Sequence, residues 1–93
     1  MIKSFKCKKT ELLFANQHVG KFAQVLDSGR RKLKILHAVV SLNELKVPPG
    51  NKLEALRGNR KGQHSIRVND QWRLCFIWKD NHAHQVELVD YHS

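Results

Sequence analysis

Hydrophobic and polar residues alternate along three segments in the second half of the chain, residues 63–68, 71–78 and 83–91. Successive side chains of a β-strand point to opposite faces, so each alternation places one apolar series on one face. Trp72, Phe76 and Trp78 belong to such a series. We interpret them as core, although aromatic side chains at this spacing also form base-stacking platforms in RNA-binding sheets. The pattern predicts three strands in an antiparallel meander.

The first half of the chain has helical periodicity instead. Apolar residues recur every three or four positions from Phe22 to near Ser41, which predicts an amphipathic helix. Gly29 lies inside this segment and indicates either a break or a close packing point. A shorter helix is predicted at residues 11–14 with Thr10 as its N-cap, after an extended segment at residues 2–7. The apolar positions of the long helix are Phe22, Val25, Leu26, Leu33, Leu36 and Val40.

A proline-rich stretch at residues 47–51 separates the two halves. Two proline rings followed by Gly50 cannot continue a helix or a central strand, so we predict a connecting loop. Helices followed by a meander indicate an α+β fold, in which the N-terminal strand and the helices pack on one face of a small antiparallel sheet. A chain of 93 residues is long enough for one hydrophobic core. We therefore expect residues 1–93 to form a single domain.

The loop between the first two predicted strands decides which residues face each other. A three-residue loop at residues 69–71 pairs Ile66 with Leu74 and puts the large apolar side chains on the core face. The same register sets Arg67 directly opposite Arg73 on the other face. Like charges in this position cost about 0.2–1 kcal/mol, which a bound anion would offset. The hairpin therefore predicts an anion-binding position on the face away from the core.

The next hairpin extends this face toward the C-terminus. A regular register pairs Phe76 with Val86 and sets Tyr91 opposite Gln71. Because side chains alternate, Tyr91 then lies on the face that carries both arginines. We expect the three side chains to form one surface.

The composition favours a polyanionic partner. Seventeen Lys and Arg against eight Asp and Glu give a formal net charge of +9, which indicates a nucleic acid. The chain has neither a signal segment nor an apolar run long enough to cross a bilayer, so we expect a cytoplasmic protein with no membrane partner. Cys7 and Cys75 are expected to be reduced. His82 and His84 have no third ligand at a telling spacing, so we expect a surface pair and no metal site.

Four segments resemble one known family. Residues 52–74 resemble the central block of HigB-type killer proteins, within the wider RelE superfamily, and residues 89–92 resemble their C-terminus. The opening residues 1–5 and the loop at residues 48–51 extend the likeness over nearly the whole chain. No single segment is as specific as a P-loop, but their order and spacing agree with the family.

The resemblance implies a RelE-like fold and the toxin of a type II toxin–antitoxin system. It implies a ribosome-dependent mRNA endoribonuclease that uses no metal or other cofactor, in which the RNA 2′-hydroxyl attacks the adjacent phosphorus and the 5′-oxygen leaves. The implied partners are mRNA on the ribosome, ribosomal RNA and a helix-turn-helix antitoxin of the HigA type. Operator DNA would be bound only through the antitoxin.

The resemblance also implies a set of catalytic residues. Arg57 matches a basic position of the family site, and Arg73 matches the arginine that holds the scissile phosphate. Tyr91 and His92 match the C-terminal pair, with His92 as general acid and Tyr91 stacking on a base or sharing the proton transfer. The chain departs from the family at Glu54, where HigB proteins often have histidine. A glutamate acts as base in the corresponding motif of YoeB-type toxins, so Glu54 is the candidate general base.

Other charged residues complete the expected site. Arg60, Lys61 and Arg67 are expected to bind RNA, and Asp90 to support the imidazole of His92. These arginines would also fit the solvated face of a basic sheet, and Glu54 would fit a surface carboxylate paired with a lysine. Two alternative functions therefore stay open: a non-catalytic RNA- or DNA-binding module, and an inactive toxin that acts only in a repressor complex with its antitoxin.

Overall fold

The alternating segments form a four-stranded antiparallel sheet in the strand order β1-β2-β3-β4. The computed structural model of the chain describes residues 1–91. The strands are β1 (Glu54–Ala55), β2 (His64–Arg67), β3 (Trp72–Lys79) and β4 (His82–Asp90). The three strands predicted from alternation correspond to β2, β3 and β4, and the short β1 adds an edge next to β2.

The first hairpin has the predicted register. Ile66 pairs with Leu74, and Arg67 pairs with Arg73. Leu74 in turn pairs with Leu88 of β4. Because neighbouring residues point to opposite faces, the leucines and Ile66 lie in the core while both arginines lie on the other face. The prediction made from loop length is confirmed.

The second hairpin has the predicted register only near the C-terminus. The amide of Tyr91 donates a hydrogen bond to the carbonyl of Gln71 at 2.7 Å, as a regular pairing requires. The ladder is irregular between Cys75 and Ile77, and β4 carries one extra residue there. Gln85 lies in this irregularity with a left-handed φ of 53°. The predicted pairing of Phe76 with Val86 is therefore wrong, because a β-bulge interrupts the ladder at that point.

Two helices pack against the core face of the sheet. Helix α1 spans Lys8–Phe14 and helix α2 spans Leu26–Ala38. A 3₁₀ helix at Gly20–Val25 leads into α2. The long helix predicted from Phe22 to near Ser41 is therefore wrong at both ends. At its C-terminal end, the carboxylate of Glu44 accepts the backbone amides of Val40 and Ser41 and caps the next 3₁₀ helix, Leu42–Lys46.

Gly29 marks a point where α2 lies close to its neighbours. A Cβ atom there would lie 3.3 Å from Cδ2 of both Leu13 and Leu88. The glycine therefore allows α1, α2 and β4 to meet, so the close-packing interpretation is the correct one. Trp72 and Phe76 are buried in the same core, with Trp72 edge-on to Phe22 at a centroid distance of 5.5 Å. The core interpretation of these two aromatic residues is confirmed.

The N-terminal segment differs from expectation in two ways. Helix α1 begins after Cys7, so Thr10 is not its N-cap. Thr10 is fully buried, and its hydroxyl accepts the amide of Leu88 at 3.1 Å, which ties α1 to β4. The extended segment before α1 forms isolated parallel bridges with β4, at Ile2 and Phe5, instead of a continuous strand. The α+β arrangement of helices on one sheet face is otherwise as predicted.

Candidate active site

The sheet face opposite the helices carries the polar residues of the candidate site. Ser65 pairs with Cys75 two positions before the Arg67–Arg73 pair, so all four side chains point away from the core. The backbone of Lys52 and the side chain of Glu54 border this face at the β1 edge. Tyr91 borders it at the other side. The strands and the loop before β1 thus bring together residues that are distant in sequence, from Lys52 to Tyr91.

Arg73 is the most strongly anchored of these side chains. Its side chain is 12% exposed. Nε donates to the hydroxyl of Ser65 at 2.8 Å, and Nη2 donates to the carbonyl of Lys52 at 2.6 Å. Nη2 also lies 3.0 Å from Oε1 of Glu54. A guanidinium has five N–H donors, and in the described part of the chain both donors of Nη1 lack a partner. These two donors are available to an anion.

Glu54 and Arg73 therefore form the centre of the site. Glu54 forms its ion pair with Arg73. The alternative interpretation, a surface carboxylate paired with a lysine, gave it a different partner. Its side chain is 59% exposed, so water reaches the carboxylate. The arrangement places one cation and one proton acceptor side by side on an open surface.

Tyr91 lies against the same guanidinium. The carbon Cζ of Arg73 is 6.0 Å from the centre of the Tyr91 ring, within the range of a cation–π contact. The side chains of Tyr91 and Cys75 lie close enough for each to influence the pKa of the other. Burial and the neighbouring Cys75 raise the pKa of Tyr91, and burial raises the pKa of the Cys75 thiol. Both groups are therefore neutral at pH 7.

Arg67 has its own acidic partner. Its Nη2 forms an ion pair with Oδ1 of Asp70, in the turn between β2 and β3. The repulsion expected between Arg67 and Arg73 is thus relieved by two carboxylates, one on each arginine. Asp70 is almost fully exposed, with 99% of its side-chain surface accessible. Arg67 is held only weakly by such a partner.

Arg60 is bound within the protein. Its Nη1 donates to Oε1 of Glu87 at 2.7 Å and to Oε1 of Gln63 at 3.1 Å. The hydrogen bond to Glu87 raises the pKa of Arg60. Nζ of Lys6 also lies 3.6 Å from Oε1 of Glu87. Arg60 was expected to bind RNA, but its contacts tie the turn after β1 to β4.

The remaining predicted residues lie at the border of the site. Arg57 and Lys61 are exposed on the turn around the 3₁₀ helix Gly58–Arg60. Within residues 1–91, no hydrogen bond, ion pair or cation–π contact joins Arg57 to Arg73 or Tyr91. Asp90 accepts a hydrogen bond from Nε2 of Gln71 at 3.0 Å. His92 lies outside the described residues.

Sequence reasoning missed three contributors. These are the Ser65 hydroxyl, the Lys52 carbonyl and the Cys75 thiol. The register could have identified Ser65 and Cys75, because they share the face of Arg73 and lie two pairs further along the hairpin. No local pattern indicates the Lys52 carbonyl, which reaches Arg73 across 21 positions of sequence.

Residues 1–91 contain neither a metal-binding cluster nor a membrane-spanning helix. No cluster of three or more His, Cys, Asp and Glu side chains there could hold a metal ion. No helix in this range has the length and hydropathy needed to span a bilayer. His84 instead places Nε2 3.3 Å from the carbonyl of Lys79.

Comparison with solved structures identifies the fold. The YoeB–YefM complex from Staphylococcus aureus contains a chain that matches all of this chain and 99% of its own length, with a TM-score of 0.58 and 21% identity. A mutant of YafQ from E. coli matches with a TM-score of 0.59 and 20% identity, over 98% of this chain and 94% of its own. The predicted RelE-like fold is thereby confirmed.

Comparison of sequences identifies the family. A family model described as the RelE-like toxin of the type II toxin–antitoxin system HigB matches residues 3–92. Endoribonuclease HigB of Proteus vulgaris is 36% identical over 93 residues, which cover 99% of this chain and 100% of that protein. Toxin HigB-1 of Vibrio cholerae is 55% identical over 53 residues, which cover 57% of this chain and 56% of that protein. The chain therefore belongs to the HigB-like family of RelE-like toxins from type II toxin–antitoxin systems.

Proposed function

We propose that this toxin is an endoribonuclease that cuts mRNA on the ribosome and so inhibits translation. The name of its Proteus vulgaris relative, endoribonuclease HigB, supports the general activity. The observation that carries the proposal is the Arg73 guanidinium, anchored on an open sheet face beside a carboxylate and an aromatic ring. This surface presents a cation at a fixed position to a phosphate.

The proposed reaction uses the RNA 2′-hydroxyl as nucleophile. A base removes its proton, the oxygen bonds to the adjacent phosphorus, and the bond to the 5′-oxygen breaks. An acid protonates that oxygen, which leaves a 2′,3′-cyclic phosphate on one fragment and a 5′-hydroxyl on the other. The reaction therefore needs a base, a cation for the phosphorane charge and an acid.

Three residues are proposed to meet these needs directly. Arg73 binds a non-bridging oxygen through Nη1, the guanidinium nitrogen that has no partner within residues 1–91, in a charge-assisted hydrogen bond. Glu54 acts as the base, because its carboxylate is exposed to water and lies 3.0 Å from Nη2 of Arg73. His92 acts as the acid, because an imidazole titrates near neutral pH. Asp90 supports His92 in this proposal.

Other residues are proposed to hold the RNA. Tyr91 stacks on a base, Arg57 adds positive charge near the phosphorane, and Arg67 and Lys61 contact neighbouring phosphates. The exposed positions of Arg57 and Lys61 and the weak partner of Arg67 support these roles. Arg60 would contribute mainly through its charge, because Glu87 and Gln63 occupy Nη1.

As a type II toxin, the protein has an antitoxin partner. We propose that this partner is a helix-turn-helix protein of the HigA type, and that operator DNA is bound only through it. We further propose that the toxin acts in the cytoplasm, where it meets mRNA and ribosomal RNA. The net charge of +9 supports binding to both RNAs.

The test is cleavage of a defined mRNA on programmed ribosomes. Wild type should yield a fragment with a 5′-hydroxyl, and Arg73→Ala should lower the cleavage rate about 100-fold or more. Arg31→Ala serves as the matched control, because it removes an exposed arginine from helix α2, outside the site. Arg73→Lys tests whether charge alone suffices.

Binding must be measured in the same samples by cosedimentation. Intact mRNA on ribosomes that carry the wild-type protein would contradict the enzyme proposal. That result would favour the non-catalytic binding module, or an inactive toxin if the protein still bound its antitoxin.

A further inference from the structure

We propose that Ser65 and Asn51 are positioning residues that fix the orientation of the Arg73 guanidinium. Ser65 does so through its hydroxyl, and Asn51 does so through the backbone carbonyl of Lys52. The inference rests on the proposed role of Arg73 in binding the scissile phosphate. Neither residue is proposed to touch the RNA: Ser65 touches Arg73, and Asn51 precedes Lys52, whose carbonyl touches Arg73.

The first anchor is the hydroxyl of Ser65. Ser65 lies in β2 opposite Cys75, and none of its surface is exposed. Its Oγ accepts the Nε–H of Arg73 at 2.8 Å. Nε is the guanidinium nitrogen nearest the backbone, so this bond sets the plane in which the other two nitrogens lie. Removing the hydroxyl would leave a half-buried N–H donor without its acceptor, which is costly where water is excluded.

The second anchor is the carbonyl of Lys52. It accepts Nη2–H of Arg73 at 2.6 Å. Lys52 has a left-handed backbone with φ of 45° and ψ of 56°, which non-glycine residues adopt rarely. Its amide donates to the carbonyl of Pro49 at 3.1 Å, closing the turn that precedes the carbonyl. A backbone conformation with this cost needs support from its surroundings.

Asn51 supplies that support. Its side chain is fully buried, and Nδ2 donates to the carbonyls of Leu45 and Val47 at 3.1 and 3.3 Å. Oδ1 accepts a hydrogen bond from Nζ of Lys32 in helix α2. Burial and the positive charges of Arg31 and Arg67 lower the pKa of Lys32. Lys52 therefore directly follows Asn51, whose side chain is hydrogen-bonded both to the preceding loop and to helix α2.

The consequence is a guanidinium with one orientation before RNA arrives. Ser65 fixes Nε, and the Lys52 carbonyl fixes Nη2, so within residues 1–91 only the two donors of Nη1 stay without a partner. Donors that are already oriented stabilise developing charge without reorganising at the moment of reaction. An unanchored arginine would keep its charge and its attraction for RNA but would lose this advantage. The anchors should therefore affect the cleavage step more than binding.

The activity test compares variants of both anchors on programmed ribosomes under single-turnover conditions. Ser65→Ala and Ser65→Cys remove the strong acceptor, and the cysteine keeps the volume. Asn51→Asp removes the two Nδ2 donors, while Lys32→Met removes the third contact and leaves the amide. We expect the cleavage rate to fall about 10–100-fold, in line with the loss of an oriented donor, while ribosome binding changes less than about 2-fold. Thr10→Val is the matched control, because it removes another fully buried hydroxyl, one that binds the amide of Leu88 on the helix-covered side of the sheet and not Arg73.

A spectroscopic test follows Arg73 itself. In ¹⁵N-labelled protein, the Nε–H resonance of Arg73 can be assigned by its absence in Arg73→Lys. We expect this proton to exchange slowly with water in wild type and in Thr10→Val. It should exchange at least about 10-fold faster in the Ser65 variants and in Asn51→Asp, following the opening of the hydrogen bond.

The two tests separate failure of this inference from failure of the proposed function. Wild type that leaves mRNA intact would contradict the proposed function, and the Nε–H exchange rates would still decide the positioning of Arg73. Wild-type cleavage rates and unchanged Nε–H exchange in the Ser65 and Asn51 variants would overturn the inference. Equal losses of cleavage in Thr10→Val would also overturn it, because they would indicate a general effect of stability.

Discussion

The carboxylate of Glu54 lies 3.0 Å from Nη2 of Arg73, and the two side chains differ strongly in exposure. Arg73 is 12% exposed and held by two further acceptors, whereas Glu54 is 59% exposed. An incoming phosphate must therefore approach a fixed cation beside an anion that is free to turn away. The pair provides a base near the phosphate but also repels the phosphate before reaction.

The substitution Glu54→Gln separates these two effects. Glutamine keeps the size of the side chain but removes the negative charge and the proton acceptor. We expect the cleavage rate at saturation to fall about 100-fold or more, the usual contribution of a general base, while the ribosome concentration for half-maximal rate falls or stays equal. Single-turnover cleavage on programmed ribosomes measures both quantities.

The control for Glu54→Gln is Glu11→Gln, which makes the same charge change on helix α1, where Glu11 pairs with Lys8. A cleavage rate that is unchanged or higher in Glu54→Gln would contradict the role of base. Glu54 would then act only as the acidic partner of Arg73.

Substitutions at Arg67 and at Asp70 should have opposite effects on RNA binding. Because Asp70 is almost fully exposed, the ion pair should yield readily to a phosphate. We expect Arg67→Ala to weaken binding to programmed ribosomes and to lower the slope of log affinity against log salt by about 1. Asp70→Asn should have the opposite effect and tighten binding to programmed ribosomes. The slopes are measured by cosedimentation between about 50 and 200 mM salt, the range over which phosphate contacts are screened. Equal slopes in wild type and Arg67→Ala would contradict a role for Arg67 in RNA binding.

Two substitutions at Tyr91 distinguish its ring from its hydroxyl. The ring lies against Arg73, and the hydroxyl lies near the buried Cys75. We therefore expect Tyr91→Phe to keep cleavage within about 10-fold of wild type and Tyr91→Ala to lose about 100-fold, within the range for loss of base stacking. Cleavage rates on programmed ribosomes test this difference. A loss in Tyr91→Phe as large as in Tyr91→Ala would show instead that the hydroxyl takes part in proton transfer.

The stability of the fold should fall at alkaline pH because of Cys75. Burial raises the pKa of its thiol above the ordinary value of 9.0, so the folded state favours the protonated form. The stabilisation is fully present below pH 9.0 and is lost as the pH rises toward the folded pKa, because the unfolded chain releases the proton first. Urea unfolding between about pH 7 and 10.5, with a reductant present, measures the free energy of unfolding across this window.

Cys75→Ala provides the comparison for the pH series. Its free energy of unfolding should fall less steeply above pH 9.0 than that of wild type, although tyrosine and lysine titrations affect both proteins. Parallel curves would contradict a raised thiol pKa. Cys7→Ala controls for loss of the other free thiol.

Spacing along the chain predicted three of the four strands, their faces and the position of Arg67 opposite Arg73. Period-two alternation separates core from surface, and a three-residue loop fixes the register that sets Arg67 opposite Arg73. These features are local, so they depend on spacing that can be counted along the chain. Resemblance of the central block and the C-terminus to HigB-type toxins identified the family in the same way.

The tertiary structure alone decided how Arg73 is held. The Lys52 carbonyl comes from a left-handed turn, and its support from Asn51 depends on Lys32 in α2. Arg60 likewise pairs with Glu87 across 27 positions of sequence. No periodicity encodes such contacts, because they arise only when helix, loop and sheet pack together and buried polar groups must find partners. The sequence thus specifies which face carries the chemistry, and packing specifies the orientation of its central cation.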